Sequence, residues 1–219
     1  IRNQQKEYIP QLYKFAQIVM ATNNNAVKYS TTGTPKKFWN VWKEQNTAFL
    51  EGALAQYVTD RTPTEQDRNL ISLFSKERVI ELIRYFVLFD ANVKKICRYQ
   101  QYFAIKEIIK TIQQSDEKGN RQSGVIWHTQ GSGKSYSMVM LARKIKHKCI
   151  GNFTFLIVTD REDLDTQIYK NFLRTEFITD KDKVQPANSK QLREELKTNK
   201  SILFTLIHKF RYDKGKKYP

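Results

Sequence analysis

The sequence predicts an α/β chain in which part of a parallel sheet, built around a phosphate-binding loop, follows a helical connector and a β-hairpin. Three observations lead there. A glycine-rich turn, Gly131-Ser132-Gly133-Lys134, lies between a short apolar run and an amphipathic stretch. Beyond it, apolar runs alternate with segments of helical period, the pattern of strand–helix–strand units. Near the start, two runs rich in strand formers flank three consecutive asparagines.

The first run is Phe15 to Thr22, and Ala26 to Thr32 is the return strand of a hairpin. Asn23-Asn24-Asn25 supplies the turn, because Asn tolerates the left-handed region. Gly33 and Pro35 end the hairpin, and a short aromatic segment with Phe38, Trp39 and Trp42 follows, of which Trp39 and Trp42 are assigned to the core. From about residue 46 to 112 the apolar spacing is helical. Phe49, Leu50, Ala53, Leu54 and Tyr57 make one stripe and Pro63 closes it; Val79, Ile80, Leu82, Ile83, Phe86 and Val87 make a second; Tyr102, Ile105, Ile109 and Ile112 make a third. The polar stretch 115–123, with Gly119 and Asn120, is a loop.

The texture then changes. Val125-Ile126-Trp127 is a short apolar strand. Residues 134–148 form an amphipathic helix with Met138, Leu141, Ala142 and Ile145 inward and Arg143, Lys144, Lys146 and Lys148 outward. Phe153 to Val158 is unbroken apolar sequence, as expected of a strand covered on both faces. Thr159 and Glu162 have capping-box spacing ahead of Leu164, Ile168 and Phe172. Ser201 to Ile207 is a third strand, and the order implies a parallel sheet with right-handed crossovers.

Lys and Arg number 38 against 22 Asp and Glu, a net charge of +16 over 219 residues. The last 39 residues carry 11 basic and 4 acidic side chains and are the most basic part. Such an excess points to a polyanion, foremost nucleic acid. No apolar run reaches the roughly 18–20 residues that span a bilayer. A membrane surface is the alternative polyanion, though no membrane partner is expected. Two distant cysteines, Cys97 and Cys149, fit a reducing compartment, and the expected location is cytoplasmic. His128, His147 and His208 have no metal-ligand spacing with the cysteines. The chain begins at Ile1 without Met and is expected to be a segment of something longer.

The loop Thr129-Gln130-Gly131-Ser132-Gly133-Lys134-Ser135 carries the chemistry. Its glycines let successive N–H groups converge on phosphate oxygens, and the helix that follows adds its positive dipole end. Lys134 is the candidate catalytic residue, able to reach the β- and γ-phosphates of ATP, and the Ser135 hydroxyl is the candidate Mg²⁺ ligand. A strict Walker A pattern fails, because His128 stands at its first Gly position.

A missing first Gly is typical of superfamily 2 helicases and translocases. More closely, Gly124 to Ser135, running on to Lys144, resembles the motor of the R subunits of type I restriction–modification enzymes, nearly letter for letter across GVIWHTQGSGKS. Three other stretches fit that family in order. Val158 to Gln167 looks like its motif Ia, which implies DNA contacts at Thr159, Asp160 and Arg161. Leu203 to Phe210 resembles motif Ib, with Phe204 and His208 replacing the usual Thr and Gln, and implies a DNA contact at Thr205. Arg98 to Ala104 resembles the adenine-recognition motif, with Gln101 as the residue that pairs with the base. Gln4 and Tyr8 have the QxxxY spacing that the family uses after its nuclease core.

The resemblance implies a division into the end of a PD-(D/E)xK nuclease domain (1–45), a helical connector (46–115) and the front of a RecA-like motor domain (116–219). It implies ATP and Mg²⁺ as cofactors, double-stranded DNA as substrate, and modification and specificity subunits as partners. The expected activity of the whole protein is that of an ATP-dependent translocase and type I site-specific deoxyribonuclease. The nuclease carboxylates would lie upstream of Ile1 and the DExx box past Pro219, so the segment alone is expected to be inactive. The lysines at 214, 216 and 217 are expected to form a solvated tail. Three rivals remain: a superfamily 2 ATPase without nuclease, such as a chromatin-type remodeler; a small-molecule phosphotransferase; and a non-enzymatic basic DNA-binding module. A nuclease strand pair upstream would exclude the first, salt-dependent DNA binding the second, and loss of translocation on Lys134→Ala the third.

Overall fold

A computed structural model describes residues 3–44 and 47–210. They form two compact units, Ile1–Ser137 and Met138–Pro219, with the division falling inside one helix. The lysines at 214, 216 and 217 lie outside the described residues. No described helix is long and apolar enough to cross a membrane.

In the first unit, a wide π turn over Gln4–Tyr8 leads into α1 (Pro10–Phe15) and then the hairpin β1 (Val19–Asn23) and β2 (Ala26–Ser30). The expected first strand thus begins four residues late, because Pro10 starts a short helix through Phe15. The strands are antiparallel, with Met20 opposite Tyr29 and Asn23 opposite Ala26. Its turn works differently from expectation. Neither Asn24 nor Asn25 has positive φ. Instead the Asn23 carboxamide oxygen accepts from the N–H groups of Asn25 and Ala26, at 3.0 and 2.9 Å.

Helices α2 (Ala48–Tyr57), α3 (Glu65–Phe74) and α4 (Lys76–Glu81) follow. Thr47 caps α2 through Leu50 N–H, and Thr64 and Asp67 form a reciprocal capping box at α3. The stripe read as continuous helix from Val79 to Val87 breaks. After α4 the backbone widens into a π turn over Leu82–Phe86 and opens into a second hairpin, β3 (Val87–Asp90) and β4 (Val93–Ile96). A short apolar run has no period of its own, so neighbours decide between helix and strand. Ala91 and Asn92, at φ 47° and 67°, make the two-residue turn. Helix α5 (Tyr99–Ile112) closes the unit and buries Tyr102, Ile105 and Ile109 as its spacing predicts.

Burial in this unit centres on aromatic rings. Trp42 lies 5.3 Å from Tyr102 and 5.8 Å from Tyr29, and Phe86 lies 4.9 Å from Tyr102. The Arg78 guanidinium stacks over Trp42 and Tyr102 and forms a two-pronged ion pair with Glu44; it also donates to Ser72 O. Burial works against the Arg78 charge, but the Glu44 carboxylate outweighs it and raises the pKa.

Val125-Ile126-Trp127 is not a strand. These residues join no sheet among the described residues, and Val125 and Trp127 are 96% and 90% exposed. Apolar composition favours a strand only where a ladder partner satisfies the backbone, and none is present here. Helix α6 (Lys134–Lys148) forms as expected and buries Ala142 and Ile145 as read, but Val139, Met140 and Lys144 are buried too and Met138 is exposed. Four consecutive apolar residues, Met138 to Leu141, leave the phase to packing.

The second unit contains β5 (Phe155–Thr159), α7 (Glu162–Arg174), α8 (Ser189–Lys197) and β6 (Ile202–Leu206). The two strands are parallel, pairing Phe155 with Ile202 and Thr159 with Leu206. Every residue of β6 is buried, whereas β5 exposes Leu156 and Val158, so one of its faces is open where both were expected to be covered. Phe172 of α7 meets Phe204 of β6 edge-on at 5.3 Å. Asn188 caps α8 through Gln191 N–H.

Candidate nucleotide-binding loop

Residues 129–135 turn sharply and run into α6. Gly131 and Gly133 have φ of +75° and +87°, the left-handed conformation that an L side chain strains to adopt. The Lys134 ammonium folds back over the loop and donates to the carbonyls of His128 and Thr129, at 3.0 and 3.1 Å. Ser135 stands on the first turn of the helix, where backbone N–H groups have no partner within the helix. Ser132 Oγ and His128 Nδ1 are buried and make no hydrogen bond. A loop of this kind, with turned glycines, an ammonium folded over its edge and an unused hydroxyl, fits a polyphosphate and its Mg²⁺.

Gln101 lies under this loop, where it is 5% exposed. Its Nε2 donates to Gly133 O at 2.9 Å and to Ser137 Oγ at 3.1 Å, and its Oε1 accepts from Arg98 N–H at 2.8 Å. The amide expected to read a base is therefore fully used within the protein, joining the start of α5 to the loop. Arg98 adds a second tie, donating to Gly131 O at 3.3 Å. Sequence spacing pointed to Gln101 but gave no hint that its partner is the loop itself.

One element was missed by the motif reading. Tyr136, the residue after Ser135, donates to Asp90 Oδ2 at 2.6 Å and accepts from Lys95 Nζ at 2.7 Å, and Lys95 also reaches Asp90 at 2.5 Å. Burial and the bond to Asp90 raise the Tyr136 pKa against the opposing effect of Lys95. For Lys95, burial opposes the charge, and Asp90 with Tyr136 more than offsets it, so its pKa is raised. The signal was the Asp90-Lys95 spacing across a two-residue turn, legible only once the hairpin is known.

In the second unit, the residues expected at DNA divide. Thr159 is buried and its hydroxyl donates to Asp165 Oδ1 at 3.2 Å, while Gln185 donates to the other oxygen at 2.8 Å. The expected cap at Thr159 is therefore absent: α7 begins after Arg161, and the Thr159 hydroxyl turns inward. Thr205 is 1% exposed in the middle of β6, and its hydroxyl has no partner. It stands opposite Val158 in the parallel pair. Asp160 and Arg161 are on the surface and pair at 3.7 Å.

A family model described as SWI2/SNF2 ATPase matches residues 100–219. The chain is 33% identical over 94% of its length to the type I restriction enzyme HindI endonuclease subunit of Haemophilus influenzae, of which it covers 20%. It is 31% and 26% identical, over 96% and 97% of its length, to two proteins of Methanocaldococcus jannaschii provisionally named as type I restriction enzyme endonuclease subunits, MjaIXP and MjaVIIP. Of each of these it covers 21%. The chain thus spans about a fifth of the length of the curated relatives it matches.

Proposed function

Because the chain belongs to the SWI2/SNF2 ATPase family and is similar along nearly all its length to type I restriction endonuclease subunits, we propose that it is the nucleotide-binding front of such a subunit's DNA motor. The observation that carries this reading is the loop 129–135, with two left-handed glycines opening directly into α6. Lys134 leaves its two carbonyl partners to meet the phosphates, Ser135 holds Mg²⁺, and Thr129 to Gly133 supply main-chain N–H groups. Bound Mg·ATP would supply the hydrolysis that drives movement along DNA. Gln101 acts by holding Gly133 in place.

The proposal extends to the domains. Residues 1–45 close a nuclease domain, 46–115 connect, and 116–219 begin the motor. Double-stranded DNA is the substrate, with sequence read by modification and specificity subunits. Asp160 and Arg161 face the tracked strand, and Arg161 is the side chain suited to a phosphate, though Asp160, Glu162 and Asp163 around it weaken that contact. Thr159 and Thr205 shape the site from inside. The setting is cytoplasmic.

The test uses the full-length protein assembled with its partner subunits. DNA-stimulated ATP hydrolysis and displacement of a triplex-forming strand are expected, and both are lost in Lys134→Ala. A Lys134→Ala protein that still translocates sinks the mechanism. The 219-residue chain by itself is expected to hydrolyse no ATP and cut no DNA; multiple turnover by the purified chain would contradict that. The family match to SWI2/SNF2 ATPases favours a second reading, translocation without cleavage, and nicking of DNA by the assembled protein excludes it.

A further inference from the structure

Lys134 and Ser135 lie on the first turn of α6, where the backbone N–H groups have no partner within the helix and the end frays unless other contacts hold it. On one side Gln101 holds Gly133 O and Ser137 Oγ. A second hold comes from Tyr136, whose side chain leaves the helix about 100° from that of Ser135. Its hydroxyl is one corner of a closed triangle. Tyr136 bonds Asp90, Lys95 bonds Asp90, and Lys95 bonds Tyr136, with all three distances between 2.5 and 2.7 Å. The Lys95 ammonium also lies 4.7 Å from the centre of the Tyr136 ring.

The triangle is an unexpected thing to find in a hairpin. Asp90 is 3% exposed, and burying a carboxylate is costly unless it is paired and hydrogen-bonded. Asp90 ends β3 and Lys95 stands in β4, so the strained two-residue turn between them presents a fixed ion pair. It reaches the residue next to Ser135 through two hydrogen bonds.

We propose that Tyr136, held by Asp90 and Lys95, is a positioning residue that sets the rotation of the first turn of α6 and thereby aims Lys134 and Ser135 at the phosphates and their metal. The inference rests on reading the loop 129–135 as the nucleotide site. The hairpin β3–β4 is then part of the hydrolytic apparatus without touching nucleotide.

The experiment removes one atom. In the full-length assembled protein, Tyr136→Phe is expected to lower kcat for DNA-stimulated ATP hydrolysis about tenfold while the Kd for a fluorescent non-hydrolysable ATP analogue changes less than about threefold. The analogue still binds at a stoichiometry of one per chain, which a misfolded variant would not keep. Lys95→Met reproduces the kcat loss, and the double variant Tyr136→Phe/Lys95→Met is no worse than either alone, as for groups acting as one unit. Lys95→Arg, which keeps the cation, recovers kcat to within about threefold of wild type. A Tyr136→Phe enzyme within about twofold of wild type overturns the inference, as does additivity in the double variant or a falling binding stoichiometry. If the wild-type protein hydrolyses no ATP, the nucleotide reading itself fails and this one with it. If wild type is active, Lys134→Ala is dead and Tyr136→Phe is unchanged, only this inference fails.

Discussion

Gly133 and Gln101 are in direct contact. Gln101 Nε2 donates to Gly133 O at 2.9 Å, and a Cβ added at Gly133 would stand 2.8 Å from that same nitrogen. The glycine is thus required twice, by its φ of +87° and by the amide packed against it. Gly133→Ala carries left-handed strain of about 1 kcal/mol and must also displace a buried amide whose other bonds hold α5. The chain is expected to melt at lower temperature and the full-length protein to lose ATP binding. A variant with wild-type melting temperature and nucleotide affinity would show that the contact is dispensable.

Arg78 and Glu44 are both interior, with side chains 12% and 8% exposed. Arg78→Ala leaves a carboxylate buried without its cation, for which a cost of about 3–5 kcal/mol is expected. The double change Arg78→Met with Glu44→Gln removes both charges and should recover much of that loss. Urea unfolding of the three proteins reads the difference. Equal destabilisation by the single and double variants would mean that stacking on Trp42 and Tyr102, rather than the ion pair, is what matters.

Asp67 receives hydrogen bonds from Arg61, Thr64 N–H and the Thr64 hydroxyl at the start of α3, and these hold its pKa below the usual carboxylate range. A lowered folded-state pKa contributes stability that is fully present above the unfolded value of about 3.9 and lost as pH falls toward the folded value. Wild type should therefore exceed Asp67→Asn in melting temperature at pH 7, and the gap should narrow steadily below about pH 4. Its partner Arg61 is half exposed, so solvent screens the pair and the effect is small. A gap that widens on acidification contradicts the assignment.

Ala91 is a non-glycine residue at φ 47° in the turn of the second hairpin. Ala91→Gly relieves left-handed strain of roughly 1–2 kcal/mol but loosens the unfolded chain by about 0.4–1 kcal/mol, so a net gain of up to about 1.6 kcal/mol is expected. Differential scanning calorimetry of the chain checks the sign, and a lower melting temperature would refute it.

Local chemistry made several elements readable in advance. The two glycines before Lys134, the β-rich runs around Asn23 to Asn25, the apolar spacing of Tyr102, Ile105 and Ile109, and the largely apolar run of β6 each carry their signal within a few residues. Where a segment was apolar throughout, the signal failed. Val87 to Phe89 looked helical and is a strand; Val125 to Trp127 looked like a strand and pairs with nothing described; Met138 to Leu141 left the helix phase undecided.

By itself, then, the sequence determined the glycine-rich loop 129–135, the helix that follows it and the segments of β5 and β6, because turn geometry, helix period and apolar runs are settled by neighbours in the chain. Tertiary structure alone decided which side chains serve that loop. Gln101 proved to be its support, Thr205 and Thr159 proved to be interior, and Asp90, Lys95 and Tyr136 came together across 46 residues of sequence. Hydrogen bonds between distant residues leave no periodicity behind; they exist only after packing brings their partners within 3 Å.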